Sequence, residues 1–306
     1  MPREGAIVGK LMNPASNPGA RLRELLSRPE PLMAPGAFDG LSARLIEEAG
    51  FDAVYMTGFG AAASVLGRPD VGLLTMTEMV EHARQISQAV SPLPVIADAD
   101  TGYGNPISVI RTVQQYELAG VAAIHIEDQV APKKCGHMAG KEVIPRQEMV
   151  SKIEAAVAAR RSSDFGIIAR TDARSVEGLE AAIDRARSYR DAGADVLFIE
   201  APEGIDEIER VAKTFSDVPL LYNWAEGGKT PPLTYEQIKS LGFKIIIFPV
   251  GALLSATQAM RLVLKSLREE GTPLQVMDRM IPFQEFLNFI GLPEVQQLEL
   301  RYKARP

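Results

Sequence analysis

The only cysteine of the chain, Cys135, stands in the stretch Lys133-Lys134-Cys135-Gly136-His137. Two lysines beside a thiol favour its thiolate, and the couple can then exchange a proton near neutral pH. A lone cysteine also serves as a small buried hydrophobe, but polar, glycine-containing flanks favour an exposed loop over a core position. Carboxylates cluster upstream, in Asp98-Ala99-Asp100 and in Ile126-Glu127-Asp128-Gln129. If a strand persists through Asp100, the side chains of Asp98 and Asp100 share one face. Carboxylates without accompanying thiolate pairs or clustered histidines favour Mg²⁺ or Mn²⁺, the former keeping several waters. Glu127 would join from a neighbouring strand tip, and Asp70 could reach the same waters from a preceding loop. An Asx-type cap explains one aspartate, but not two followed by Gly102-Tyr103-Gly104.

Other polar groups fit a substrate anion. Arg170 can clamp a carboxylate or phosphate with two parallel hydrogen bonds, or pair with Glu200 or Asp172. Asn223 ends another apolar run, and the Thr57-Gly58-Phe59-Gly60 turn can present backbone N–H groups. Among the three histidines, His82 sits in a helical period and reads as surface or packing. His125 lies inside a strand as core or support, and His137 follows the cysteine and is placed to orient its loop.

These groups need a scaffold that gathers residues far apart in sequence. Eight short apolar runs rich in Val, Ile, Leu and Ala read as strands buried on both faces. They cover Leu32–Ala34, Ala53–Met56, Pro94–Ala97, Ala122–Ile126, Gly166–Ala169, Val196–Ile199, Pro219–Tyr222 and Lys244–Phe248. Segments of helical period alternate with them, from Leu41–Glu48 to Ala252–Glu269, and several end at Ala-Gly before the next strand. Eight β–α units in 306 residues predict an α/β fold, a (β/α)8 TIM-type barrel. A doubly wound sheet is the rival, but no GxGxxG turn follows an early strand. The expected organisation is a single barrel domain over 1–306, with a lead at 1–30. Two further helices, Met280–Phe289 and Glu294–Tyr302, form a C-terminal extension at 272–306. In such a barrel the chemistry sits at the C-terminal strand ends. There the polar residues fall: Tyr55 and Thr57, Asp98 and Asp100, Glu127, Arg170, Glu200 and Asn223.

The balance of the chain excludes some functions. A net charge of −6 with no basic run gives no general attraction to nucleic acid. No stretch approaches the roughly 20 apolar residues of a membrane span, nor does the first part hold a signal-like apolar segment. One cysteine forms no internal disulfide, so a reducing, cytoplasmic setting is expected.

Taken in order, Tyr55-Met56-Thr57-Gly58, Asp98-Ala99-Asp100, Ile126-Glu127-Asp128-Gln129, Lys133-Lys134-Cys135-Gly136-His137 and Ala169-Arg170-Thr171-Asp172 resemble the isocitrate lyase/PEP mutase superfamily. The resemblance runs from about Ala34 to the C-terminus. It implies an Mg²⁺-dependent barrel enzyme (Mn²⁺ the alternative) whose lid loop carries a catalytic Cys135. It also implies a homotetramer with C-terminal helices swapped between subunits. Members that break C–C bonds carry cysteine on the lid where the phosphonate mutases carry asparagine, so Cys135 points to the lyases. The implied roles are catalytic for Cys135, Lys133, Tyr55 and His137, and substrate-holding for Thr57, Gly58, Phe59, Arg170, Glu200 and Asn223. Asp100 would hold the metal directly, with Asp98 and Glu127 largely through water and Asp70 nearby. The implied substrate is a 2-hydroxydicarboxylate such as 2,3-dimethylmalate, cleaved to pyruvate and propionate. Alternatives are 2-methylisocitrate cleavage, oxaloacetate decarboxylation and phosphonopyruvate chemistry. Methylisocitrate-cleaving members have an arginine soon after the last strand, whereas Pro249-Val250-Gly251-Ala252-Leu253-Leu254 brings none before Arg261. Oxaloacetate-hydrolysing members carry a serine where Pro249 stands.

Overall fold

A computed structural model describes residues 17–136 and 138–303. Of these, 17–253 form one compact unit and 254–303 a second. The first holds eight strands: β1 (Leu32–Ala37), β2 (Val54–Met56), β3 (Val95–Asp98), β4 (Ala123–Glu127), β5 (Gly166–Thr171), β6 (Val196–Ile199), β7 (Leu221–Asn223) and β8 (Ile245–Phe248). Its helices are α1 (Pro18–Leu26), α2 (Gly40–Glu48), α3 (Gly58–Ala61), α4 (Met76–Val90), α5 (Pro106–Leu118), α6 (Arg146–Ala159), α7 (Arg174–Glu177), α8 (Leu179–Asp191), α9 (Ile205–Thr214) and α10 (Tyr235–Ser240). Helix α11 (Gly251–Glu270) leads from this unit into the second, which also holds α12 (Phe283–Phe289) and α13 (Leu292–Tyr302).

The strands pair in parallel in the order β6-β5-β4-β3-β2-β1-β8-β7. The β1–β8 register sets Leu32 beside Ile245. Between β6 and β7 the contact thins to one bridge, Leu197 to Leu220, with the Leu197 N–H donating to the Pro219 carbonyl at 3.0 Å. The result is the nearly closed eight-stranded barrel expected of the alternating pattern.

Strand periodicity sorts the side chains into two layers. Tyr55, Ile96, Ala123, Ile168, Phe198 and Leu221 share an inner cluster, to which α1 adds Leu22 and Leu25. Their strand neighbours Met56, Ala97, Ile124, Ala169 and Leu197 pack outward against Ile86, Val113, Ile153 and Ile183 of the helices. Extending the same alternation to the strand ends places Asp98, Glu127, Arg170, Glu200 and Asn223 on the inner side. Burial on both faces explains why β3 to β6 are largely apolar before their polar ends, with His125 inside β4 as the exception.

Helix starts are fixed locally. Asp39 and Ser42 form a capping box for α2, Thr75 and Glu78 one for α4, and Thr234 and Gln237 one for α10. Gly50 and Gly120 take φ of 87° and 86° just past α2 and α5, a backbone state that suits glycine. Three features depart from expectation. The Thr57–Gly60 stretch is not a simple turn but the entry to α3, which continues as a wide π-type turn over Ala62–Leu66. Two short segments, α7 and a 3₁₀ turn at Leu274–Arg279, are too brief to show a hydrophobic period. The helix expected from Met280 begins at Phe283, after Pro282. No helix among the described residues is long and apolar enough to cross a membrane.

Candidate active site

Strand β3 ends at Asp98, so the condition under which Asp98 and Asp100 would share one strand face is not met. The chain instead turns at Asp100, which adopts φ 47°, a left-handed conformation that aspartate tolerates better than most residues. The Asp98 Oδ1 accepts the Asp100 N–H at 2.9 Å, and the Asp100 carbonyl accepts the Glu127 N–H at 2.9 Å. Two further contacts steady this corner. The Tyr116 hydroxyl donates to the Asp98 carbonyl at 2.9 Å, and the buried Lys152 Nζ donates to the Thr101 carbonyl at 3.2 Å. Neither Tyr116 nor Lys152 stands out in sequence, because both lie within helical periods.

The cysteine loop leaves β4 and returns to α6 with its base pinned. The Val130 N–H donates to the Glu142 carbonyl and the Ile144 N–H to the Asp128 carbonyl, both at 2.9 Å. Within it the Gln129 side chain pairs with the Lys134 backbone in both directions, at 2.8 and 2.9 Å. The two lysines diverge. Lys133 is buried, with its ammonium 2.6 Å from Asp70 Oδ1 and 3.0 Å from Asp100 Oδ1. Lys134 reaches the Gly140 carbonyl at 2.5 Å. The Cys135 N–H donates to the Asp70 carbonyl at 3.2 Å, which fixes the thiol-bearing residue to the loop after β2. A Cβ on Gly136 would fall 2.5 Å from Arg170 Nη2 and 2.7 Å from Glu200. Only glycine lets the loop approach these side chains. His137 lies outside the described residues.

Arg170 occupies the middle of the site. Its Nε and Nη2 donate to both oxygens of Asp172 at 2.9 and 3.1 Å. The same Nε lies 3.2 Å from Glu127 Oε2, and Nη1 lies 3.4 Å from Glu200. The guanidinium carbon stands 5.0 Å from the Phe198 ring centre. Of the two readings for Arg170, the ion pair is seen, and with both partners: the fork is committed to Asp172, and Nη1 faces Glu200. Asn223 donates its amide to Glu200 at 3.2 Å. Thr57 caps α3, its hydroxyl accepting the Gly60 N–H at 3.3 Å. That leaves the N–H groups of Gly58 and Phe59 as the first-turn donors with no intrahelical acceptor. Gly58 lies so close to the Asp98 carboxylate that a side chain there would collide with it.

Below these groups, the Tyr55 hydroxyl and His125 Nε2 are hydrogen-bonded at 2.9 Å, with Asp98 Oδ1 3.6 Å from the same nitrogen. Burial pushes the His125 imidazole down to about 4, so it is neutral. Burial and the Asp98 charge push the Tyr55 phenol well above its ordinary value, so it stays protonated. His125 is therefore support for the site, and His82 is buried on α4 rather than at the surface.

The carboxylates differ sharply. Burial raises Asp100 to about 6 and Glu127 well above the usual range. Asp98 is held low despite burial, because the Lys133 and Arg170 charges and the Asp100 N–H outweigh it. Lys133 is likewise buried, but Asp100, Asp98, Glu127 and Asp70 together keep its ammonium charged. Neither Glu127 oxygen accepts a hydrogen bond among the described residues, although both are buried. No three His, Cys, Asp or Glu side chains among the described residues come together closely enough to hold an ion. The expected metal set is thus assembled around Lys133 without closing into a cage.

Sequence reasoning missed Lys141, whose buried Nζ lies 2.8 Å from Asp172 Oδ1 and also meets the Gly136 carbonyl. Its one local cue is the loop's return after Gly140.

A parallel barrel with carboxylates, an arginine and a loop-borne cysteine gathered at its C-terminal strand ends is a TIM-barrel enzyme arrangement. The family model for phosphoenolpyruvate phosphomutase matches residues 22–268, and the chain belongs to that family, within the PEP mutase/isocitrate lyase superfamily. A 2,3-dimethylmalate lyase from Eubacterium barkeri is 50% identical over 286 residues, which span 94% of this chain and 98% of the relative. A crystal structure of 2,3-dimethylmalate lyase aligns with a TM-score of 0.90 at 44% identity, covering 95% of this chain and 97% of that one. A phosphonopyruvate hydrolase solved in complex with oxalate and Mg²⁺ aligns at a TM-score of 0.86 and 33% identity, over 94% of this chain and 100% of that one.

Proposed function

We propose that this enzyme is a divalent-metal-dependent carbon–carbon lyase that cleaves a 2-hydroxydicarboxylate of the 2,3-dimethylmalate kind to pyruvate and propionate. The observation that carries the reading is the seating of Cys135. Its loop is tied to Asp70 by its own N–H and packs Gly136 onto Arg170 and Glu200. A thiol carried on a loop packed against Arg170 and Glu200 suits delivery of a proton to a substrate carbanion.

The residues present fit Mg²⁺ or Mn²⁺. All donors are hard oxygens, the Glu127 oxygens accept no hydrogen bond among the described residues, and an open set suits an ion that retains waters. Asp100 would hold it directly, with Asp98, Glu127 and Asp70 acting through water. When bound, such an ion supplies Lewis-acid stabilisation of negative charge on the substrate's 2-oxygen.

The side chains do the rest. Arg170, Asn223 and the Gly58 and Phe59 N–H groups bind the two carboxylates, and Glu200 orients the arginine and the amide. Because Tyr55 and Lys133 both keep their protons, they act as hydrogen-bond donor and fixed positive charge. The 2-hydroxyl proton then passes to water at the carboxylate cluster. The C2–C3 bond breaks, its electron pair moving to C3 as the 2-oxygen becomes the pyruvate carbonyl. Cys135 gives its proton to C3, propionate forms, and the thiolate is reprotonated from solvent. His137 orients the loop, and the closed loop excludes water.

The reading extends to assembly and setting. The chain forms one domain with a C-terminal extension that is swapped between the subunits of a homotetramer. Exposed apolar residues support this: Leu274 is 67% exposed, Phe283 76% and Leu300 75%, more than an isolated extension would leave in water. Native mass spectrometry is expected to read four chains; a monomer would remove the swap. A working thiol suits a reducing cytoplasm.

The test is a panel of 2-hydroxydicarboxylates with Mg²⁺, scored for pyruvate or glyoxylate against the partner acid. Pyruvate and propionate from 2,3-dimethylmalate, faster than any product from 2-methylisocitrate, is the expected result. Preferential glyoxylate or succinate release, or turnover confined to oxaloacetate or phosphonopyruvate, would overturn it.

A further inference from the structure

Lys141 is a buried lysine beyond the residues that face the substrate, and its two contacts join two parts of the site. Its Nζ donates to the Gly136 carbonyl, next to the cysteine, and lies 2.8 Å from Asp172 Oδ1 at the end of β5. Asp172 is anchored independently. Its carboxylate receives Arg170 through Nε and Nη2, and its own N–H donates to Asp128 Oδ1 at 2.9 Å. Asp172 is therefore a fixed post, and Lys141 is the tie between that post and the cysteine loop.

A buried ammonium requires several acceptors, and this one has a carboxylate and a carbonyl. The carbonyl belongs to the residue whose Cα abuts Arg170 and Glu200, so the tie holds the loop down where it lies tightest on the site. The Cys135 N–H and Lys133 tie the leading half of the loop to Asp70 and Asp100, the Gln129–Lys134 and Lys134–Gly140 bonds stay within the loop, and Lys141 is the tie that holds Gly136 to the end of β5.

We infer that Lys141 is a positioning residue that latches the Gly136 side of the Cys135 loop onto the barrel through Asp172. This deepens the lyase reading, in that the latch sets where the proton donor stands. Arg170 keeps both its bonds to Asp172 without Lys141, so loss of the latch spares substrate-carboxylate binding while displacing the thiol.

Cys135 is the only cysteine in the chain, so its rate of alkylation by iodoacetamide reads loop position without any reference to turnover. In Lys141→Met the alkylation rate is expected to rise about tenfold or more, the scale of losing a charge-assisted hydrogen bond. Lys141→Arg, which keeps the charge and donors, should label close to the wild-type rate. Lys141→Gln, carried beside them, is expected to fall between and keeps the test alive if the methionine variant folds poorly. Alkylation of the methionine and glutamine variants at the wild-type rate, with intact thermal transitions, would overturn the latch. In turnover with 2,3-dimethylmalate, kcat should fall far more than KM rises. If the panel fails but labelling responds as stated, the lyase reading is lost and the latch stands.

Discussion

Glu127 and Asp128 are adjacent carboxylates at one strand end, and they live in opposite worlds. The pleat sends Glu127 into the barrel and Asp128 outward between sheet and helices. Asp128 is satisfied from every side. It accepts from the Tyr189 hydroxyl at 2.7 Å, the Thr171 hydroxyl at 2.8 Å and the Asp172 N–H at 2.9 Å, with Arg185 at 3.4 Å. Glu127 accepts no hydrogen bond among the described residues and has only the Arg170 charge at 3.2 Å beside it. A fold that needed only stability would not leave a buried carboxylate so poorly served. The comparison teaches that satisfaction, more than burial or residue type, separates the group that holds the barrel together from the group kept for a ligand.

Substitutions can break that contrast. Glu127→Gln should cut kcat/KM by about 10³-fold, roughly 4 kcal/mol of transition-state stabilisation. Its thermal transition should stay level or rise, since a neutral isostere relieves an unsatisfied buried acid. Steady-state kinetics and calorimetry read the two halves. Asp128→Ala should do the reverse, lowering stability by about 3 kcal/mol because Thr171, Tyr189 and Arg185 lose a shared acceptor. Urea unfolding checks this, and folded Asp128→Ala should retain more activity than Glu127→Gln.

A smaller effect follows from protonation. Asp100 is raised to about 6, so below that pH the metal-free site carries a proton that Mg²⁺ must displace. Mg²⁺ binding by titration calorimetry should therefore weaken as pH falls through 6, by about tenfold per unit for one displaced proton. Affinity independent of pH between 5 and 7 would take Asp100 out of the metal set.

Much of this arrangement was legible beforehand. Alternating apolar runs and Gly-ended helices mark the eight units, and polar residues at the strand tips mark the site. What escaped was geometry that no period encodes. Asp100 sits in a left-handed turn, because the Asp98 carboxylate captures its N–H and ends the strand. Gly58 and Phe59 lie in a short helix set by the Thr57 cap, a local hydrogen bond with no hydrophobic signature. The commitment of Arg170 to Asp172, and of Lys141 to both Asp172 and Gly136, arises from tertiary contacts between strand tip and loop. The lysines beside Cys135 suggested control of the thiol. In the fold, Lys133 is engaged by Asp70 and Asp100, and Lys134 by the Gly140 carbonyl.

The central claim is that Cys135 supplies the proton that completes cleavage. Its most direct test is Cys135→Ser assayed with 2,3-dimethylmalate and Mg²⁺, alongside calorimetric binding of oxalate and Mg²⁺. The account predicts turnover reduced by about 10²- to 10⁴-fold, the range of a lost general acid, with oxalate binding retained. Near-normal pyruvate release by the serine variant would contradict it.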